Sequence, residues 1–279
     1  MKKAFILALT LTLSVSALAW GRLGHASIAK IAEDHLTKRT KRAISEIMQG
    51  EPISGYASYA DEYRETLLFD VGFDPSKGGN RISKLPHLFE VDMNFEPFRG
   101  NNDNGRYVNN CINLIMQYSD NLKNWKMLDD STRFTELVLL VHFVGDMHCP
   151  EHVRYNPEDM TIGKYNVLFN GKEIEYHKYW DSSLMESRFP WSFSDFAYLL
   201  DSWSSSEQSE IVKGDPYDWG KEIAELSYPV HQVREGDVIT TDLFEEHLSL
   251  MKSQLRKAGY RLAHQLNKVF DPRYARKYK

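Results

Sequence analysis

The chain is poor in cysteine, has no excess of positive charge, contains no internal repeat and carries only one long apolar run. Each absence removes a class of protein. Two cysteines, Cys111 and Cys149, occur in 279 residues, too few for a disulfide framework. They either pair with one another or sit free in a core. Lysine and arginine number 34 against 39 acidic residues, giving a formal net charge of −5 and a pI of about 6.1. A protein that coats duplex nucleic acid usually has a basic footprint and a pI above ~9, and that footprint is missing. Hydrophobic residues make up 42% and charged residues 26% of the chain. That balance excludes disordered, collagen-like and coiled-coil classes. No low-complexity tract or linker interrupts the sequence, so one domain is the economical reading of this length.

The apolar run lies at the N-terminus. Lys2 and Lys3 precede an apolar stretch from Phe5 to Leu13, and Ala17-Leu18-Ala19 has the A-x-A form of a cleavage site. This is the pattern of a secretory signal peptide, and the run is too short for a good membrane span. Residues 1–19 are therefore expected to be removed, leaving one domain over 20–279 with Trp20 as its first residue. The expected location is periplasmic or extracellular, with no membrane anchor.

The rest of the chain reads as mainly α. Apolar residues recur at helical spacing in Ile28, Ile31, Ala32 and Leu36, and in Ala43, Ile44, Ile47 and Met48 before Gly50. The same period runs from Val108 through Cys111, Ile112, Ile115, Met116, Ser119 and Leu122, and through Phe134, Leu137, Val138, Val141 and Val144. A long stripe follows, comprising Leu243, Phe244, His247, Leu248, Met251, Leu255, Ala258, Leu262 and Leu266. Asp242 and Glu245 are placed to form its capping box. One segment breaks the pattern. Tyr165–Phe169 and Glu173–Tyr176 flank Asn170-Gly171, a strong hairpin signal. Loops are expected from Gly72 to Ser83 and from Gly100 to Gly105, where Gly, Asn, Asp and Pro collect.

Histidines and aspartates carry the chemistry. His142 and Asp146 lie four apart on an expected helix and so share one face. His152 follows just past Pro150, and His177 with Asp181 repeats the four-residue spacing after the hairpin. A single such pair is commonly a surface ion pair, but two with a third imidazole between them point to zinc. Cleavage before Trp20 would free an α-amine whose ordinary pKa, about 7.7–8.0, lets a metal displace its proton. The Trp20 carbonyl could complete a chelate, and His25 could add an imidazole.

Five segments carry a resemblance: WGRLGH at 20–25, ASYADEYR at 57–64, LPH at 85–87, LVHFVGDMHCPEH at 140–152 and EYHKYWDS at 175–182. On these the chain resembles the secreted trinuclear-zinc nucleases of the nuclease S-one and nuclease P-one type. The resemblance implies a mainly α, single-domain multi-helix bundle of the phospholipase C and nuclease P-one type, with one small β-hairpin. It implies three zinc ions. Asp61, His87, His142 and Asp146 would hold the first, and His152, His177 and Asp181 the second. Trp20, His25 and Asp146 would hold the third. Water activated between two ions would attack phosphorus in line, and Asp61 and Arg64 would serve catalysis, with Arg64 gripping phosphate oxygens. Asn166 would sit beside the scissile phosphate as a catalytic and substrate-binding residue.

The implied activity is hydrolysis of single-stranded RNA and DNA to 5′-phosphorylated products, with 3′-nucleotidase activity. The expected partner is single-stranded nucleic acid or a 3′-nucleotide, bound by a monomer. The base pocket departs from the family. Leu88 stands where an aromatic residue is usual and Glu90 where Asp or Asn is usual, and Cys149 replaces a common Gln. Gly163-Lys164-Tyr165-Asn166 alters the loop before the hairpin. Two alternatives follow: a zinc phospholipase C-like phosphodiesterase, or a secreted zinc-binding protein of weak activity. Trp180-Asp181 favours the nuclease branch, because the phospholipase pattern ends in Glu. His35, His231, His247 and His264 have no role in this scheme, and His148 is expected to orient a ligand from behind.

Overall fold

The computed structural model describes residues 20–64, 66–74, 79–84, 86–100, 110–155, 164–187 and 190–278. The expected signal peptide, most of the loop expected over 100–105, Val108, Leu85 and Gly163 lie outside these residues. The described residues form helices α1 (Gly21–Asp34), α2 (Lys38–Ile47), α3 (Tyr59–Glu62), α4 (Cys111–Leu122) and α5 (Asp130–Met147). After these come two short helices, α6 (Tyr176–Lys178) and α7 (Leu184–Glu186), on either side of a π-helical turn at Tyr179–Ser183. The last third holds α8 (Phe193–Leu200), α9 (Ser205–Ile211), α10 (Pro216–Ser227), α11 (Thr241–Phe270) and α12 (Pro272–Lys277). The mainly α expectation holds. Among the described residues no helix is long and apolar enough to cross a membrane.

The long stripe forms α11, where His247, Leu248, Met251, Leu255, Ala258, Leu262 and Leu266 are all buried. Its cap differs from expectation. Thr240, not Asp242, is the N-cap, and its hydroxyl accepts from the Leu243 N–H at 3.3 Å. The reason is tertiary. The Ile239 N–H is bonded to the Leu168 carbonyl at 2.9 Å, so the chain is held extended up to Thr240. The centre of the molecule is α5. From Leu137 to Met147 every residue is buried, so the one-face pattern read from sequence understates it. A helix covered all round carries no solvent face, and α1, α4 and α11 pack against it. Cys111 and Cys149 are separate buried thiols, which closes the pairing alternative.

Among the described residues, three two-stranded pairs complete the fold. Strands β1 (Leu68–Asp74) and β2 (Gly79–Lys84) pair antiparallel, so most of the loop expected over 72–83 is strand. The β-prone run Leu68, Phe69, Val71 and Phe73 outweighs the neighbouring Gly and Asp. Strand β3 (Phe89–Glu90) pairs parallel with β4 (Val153–Arg154). The expected hairpin is β5 (Asn166–Phe169) against β6 (Lys172–Glu175). Asn170 and Gly171 have φ of 51° and 74°, the two positive values a type I′ turn requires.

Candidate metal centre

The buried end of α5 presents His142 and Asp146 one turn apart, as the spacing predicted. Segments far away in sequence converge on them. His25 enters from α1 and stacks on His142, with ring centroids 4.1 Å apart. This approach depends on Gly145, since a Cβ there would lie 2.6 Å from His25 Nδ1. Asp61 comes from α3, and His87 from the residue two before β3. His152 ends a 3₁₀ turn over Pro150–His152. His177 lies in α6, and Asp181 in the π-helical turn beyond it. Turns of this kind occur often at functional sites.

Asp146 is the hub. Its Oδ2 lies 2.8 Å from His87 Nδ1 and 3.1 Å from His142 Nε2, and its Oδ1 lies 3.4 Å from His25 Nε2. Asp61 faces His87 and His142 at 3.6 and 3.7 Å. His177 Nε2 faces Asp181 Oδ2 at 3.3 Å, and the His152 and His177 rings stack in parallel. Among the described residues three sets could each hold an ion: His25, Asp61 and His142; His87, His142 and Asp146; and Cys149, His152 and Asp181. Within each set the ligand atoms lie within 4.8 Å of one another.

His25 Nε2, both oxygens of Asp61, His87 Nε2, Asp146 Oδ1, His177 Nδ1 and both oxygens of Asp181 are buried with no hydrogen-bond partner. Buried polar atoms in proteins are nearly always paired, and an unpaired buried charge is costly. Elsewhere the site is tied down. His142 Nδ1 bonds the Ala57 carbonyl at 2.8 Å and His152 Nδ1 the His87 carbonyl at 2.7 Å, so in each ring Nε2 is the atom that could ligate a metal. Imidazole, carboxylate and thiol in this mixture suit zinc.

Burial also prepares these groups. It pushes the His152 imidazole well below its ordinary pKa, and lowers His25 with help from His142. Both are thus neutral at neutral pH, the form that ligates a metal. Burial works against a charged His142, yet Asp146 and Asp61 outweigh it and lift this ring to about 9. Burial works against the Asp146 charge too, but His142 and His87 hold that carboxyl well below the usual range. Burial pushes the Asp181 carboxyl well up, so a cation bound there would displace its proton.

The other expected site residues lie as follows. Trp20 is buried, its indole donates to the Gly145 carbonyl at 3.0 Å, and its carbonyl accepts from the Gly24 N–H. Its φ of 45° is unusual for a bulky residue. Arg64 is half-buried one turn beyond Asp61. Leu88 is half-buried. Glu90 is buried and accepts from Arg154 Nη1 at 3.3 Å. Asn166 is exposed at the start of β5, in register with Glu175. His148 departs from expectation. Its Nδ1 bonds the Val144 carbonyl and its Nε2 meets Arg261 Nη1 at 3.2 Å, so it supports the buried Arg261 rather than a ligand. Two residues escaped the sequence reading as site residues. Cys149 joins His152 and Asp181, and Glu151 is fully buried beside His177. Their only sequence signal was a position between Asp146 and His152.

Comparison with known proteins gives a family match over most of the chain. The family model described as S1/P1 Nuclease matches residues 20–271. The chain is 22% identical to Endonuclease 4 of Arabidopsis thaliana over 289 aligned positions, covering 93% of this chain and 92% of that protein. It is 25% identical to Nuclease P1 of Penicillium citrinum, covering 92% of this chain and 100% of that protein. Clostridium perfringens alpha-toxin superposes at a TM-score of 0.43 and 13% identity, over 91% of this chain and 65% of the toxin.

Proposed function

The chain belongs to the S1/P1 nuclease family, and from that premise we propose that it is an exported, zinc-dependent phosphodiesterase acting on single-stranded RNA and DNA. It releases 5′-phosphorylated products and also removes 3′-phosphates from nucleotides. The observation that carries this reading is the cluster of buried, unpartnered imidazole and carboxylate atoms around Asp146. Asp61, His87, His142 and Asp146 would hold one ion. His152, His177 and Asp181 would hold a second. Trp20, His25 and Asp146 would hold a third once residues 1–19 are removed. Bound there, the ions supply Lewis acidity toward phosphoryl oxygens and acidify water toward neutrality.

The chain's own residues do the rest. Asp61 and Asp146 balance the ionic charge, and the carbonyl tethers on His142 and His152 fix ring orientation. Arg64, one turn from Asp61, can meet two phosphate oxygens at once. Asn166 offers a neutral amide at the hairpin edge for the phosphate side of the substrate. Leu88 and Glu90 stand on the base side. Leu88 cannot stack as an aromatic would, a contact worth ~1–3 kcal/mol, and Glu90 is already engaged with Arg154. Binding therefore leans on phosphate more than on base, and the enzyme works as a monomer.

The test is hydrolysis by zinc-loaded protein beginning at Trp20, offered single-stranded DNA, a 3′-mononucleotide and a phosphatidylcholine emulsion. Both nucleotide substrates are expected to be cut. Cleavage of the lipid alone would instead favour the phospholipase-like reading that Leu88 encourages. Inactivity on both nucleotides refutes the proposal.

A further inference from the structure

Glu151 takes no part in the ligand sets above, yet it is fully buried and neither carboxylate oxygen has a hydrogen-bond partner. Its Oε2 lies 3.6 Å from His177 Nδ1, and its Oε1 lies 3.9 Å from His231 Nδ1. The other side of the His177 ring is committed, with Nε2 facing Asp181 Oδ2 at 3.3 Å. His231 is held in turn, its Nε2 bonding the Pro150 carbonyl at 2.9 Å. A pattern emerges across the rings. His142 and His152 are each tethered at Nδ1 by a backbone carbonyl. His177 Nδ1 has no hydrogen-bond partner and is faced by a carboxylate instead.

We infer that Glu151 is a positioning residue for His177, taking its Nδ1–H so that Nε2 points at the ion shared with His152 and Asp181. This rests on the proposed reading of those three residues as a metal set. A carboxylate behind an imidazole fixes the tautomer and makes the ligating nitrogen more basic than a carbonyl would, and loss of such a partner lowers metal affinity ~10–100-fold. It also accounts for a buried acid that contributes no hydrogen bond to the fold. His231, anchored to Pro150, closes the far side and keeps the carboxylate turned toward His177.

The role separates from a structural one by the sign of its effects. Glu151→Gln keeps the shape and one acceptor, and Glu151→Leu removes both charge and acceptor. Zinc would be counted by atomic emission and its affinities measured by competition with a chelating dye. Melting of the metal-free proteins would be followed in parallel. One zinc is expected to weaken ~10–100-fold in Glu151→Leu, and less in Glu151→Gln. The remaining zinc should stay at wild-type affinity. The metal-free Leu variant should still melt cooperatively, so that the weakened zinc is read on a folded protein. Unchanged affinity in both variants overturns the inference. So does a uniform loss of all zinc together with a lower metal-free melting temperature. A wild-type chain with no zinc sensitive to His177→Ala overturns the underlying metal set instead.

Discussion

Asp146→Asn is the most decisive perturbation of the centre. The substitution preserves shape and removes one negative charge from a fully buried position. Asp146 lies within 4 Å of four imidazoles: His87 at 2.8, His142 at 3.1, His25 at 3.4 and His152 at 3.7 Å. A unit charge at that range, in an effective dielectric of ~20, is worth about 4 kcal/mol toward even a monovalent partner. That corresponds to about a thousandfold in affinity, and Asp146 is proposed to serve two ions. The expected result is loss of two zincs at free concentrations that saturate the wild type, read by atomic emission after dialysis. The competing view makes Asp146 the anion of a buried imidazolium network. In that case Asp146→Asn would leave zinc content unchanged and destabilise the chelated protein by about 3–5 kcal/mol. Unaltered zinc binding in Asp146→Asn refutes the centre as drawn.

Three further outcomes follow from other parts of the molecule. Protein retaining one residue before Trp20 should bind one zinc fewer and lose most activity on single-stranded DNA, whereas a full zinc complement would rule out the Trp20 amine as a ligand. Gly145→Ala places a methyl 2.6 Å from His25 Nδ1; it should cost about 1–3 kcal/mol by overpacking and displace His25, lowering zinc content and chelated-protein stability together. Burial, aided by Lys268, holds His264 down to about 4, while the unfolded chain titrates near 6.5. Its contribution is therefore complete above pH ~6.5 and lost as pH falls toward ~4. Denaturant melts of chelated His264→Phe should show a pH 7-to-5 stability loss about 2 kcal/mol smaller than wild type, and an equal loss would refute it.

Local patterns were legible in the sequence because their causes are local. The α11 stripe, the His142–Asp146 spacing and the Asn170-Gly171 turn each depend on residues within a few positions. Features set by tertiary contact were not. Thr240 caps α11 because Ile239 is bonded to a strand some seventy residues earlier, a tie that no capping rule sees. The buried half of α5 reads as amphipathic until its neighbours cover the other side. Asp61 and His87 bear no spacing relation to His142, and only the family resemblance pointed to them. Glu151 was passed over because acids are almost never fully buried unless paired. Its partners in the fold are His177 and His231. Neither partner can be found from position 151 alone.

The acidity of the chain bears on how it meets a polyanion. Asp61, Asp146, Asp181 and Glu151 are all buried, so on its own side chains the proposed centre suits a cation better than a phosphate. With ions in place the local sign reverses, and attraction is confined to one small pocket. A protein that instead neutralised many phosphates with surface lysines would show a steep salt dependence, about −0.7 in log K against log salt per phosphate on single strands. The net charge of −5 leaves little for such a surface. Binding of a hydrolysis-resistant single-stranded phosphorothioate oligonucleotide by the zinc-loaded protein should therefore show a slope of about −0.7 to −1.4, the value for one or two phosphates. The slope should not steepen when the oligonucleotide is lengthened. Steepening with length would mean that the chain grips an extended backbone, and that the ion pocket is not the chief source of affinity.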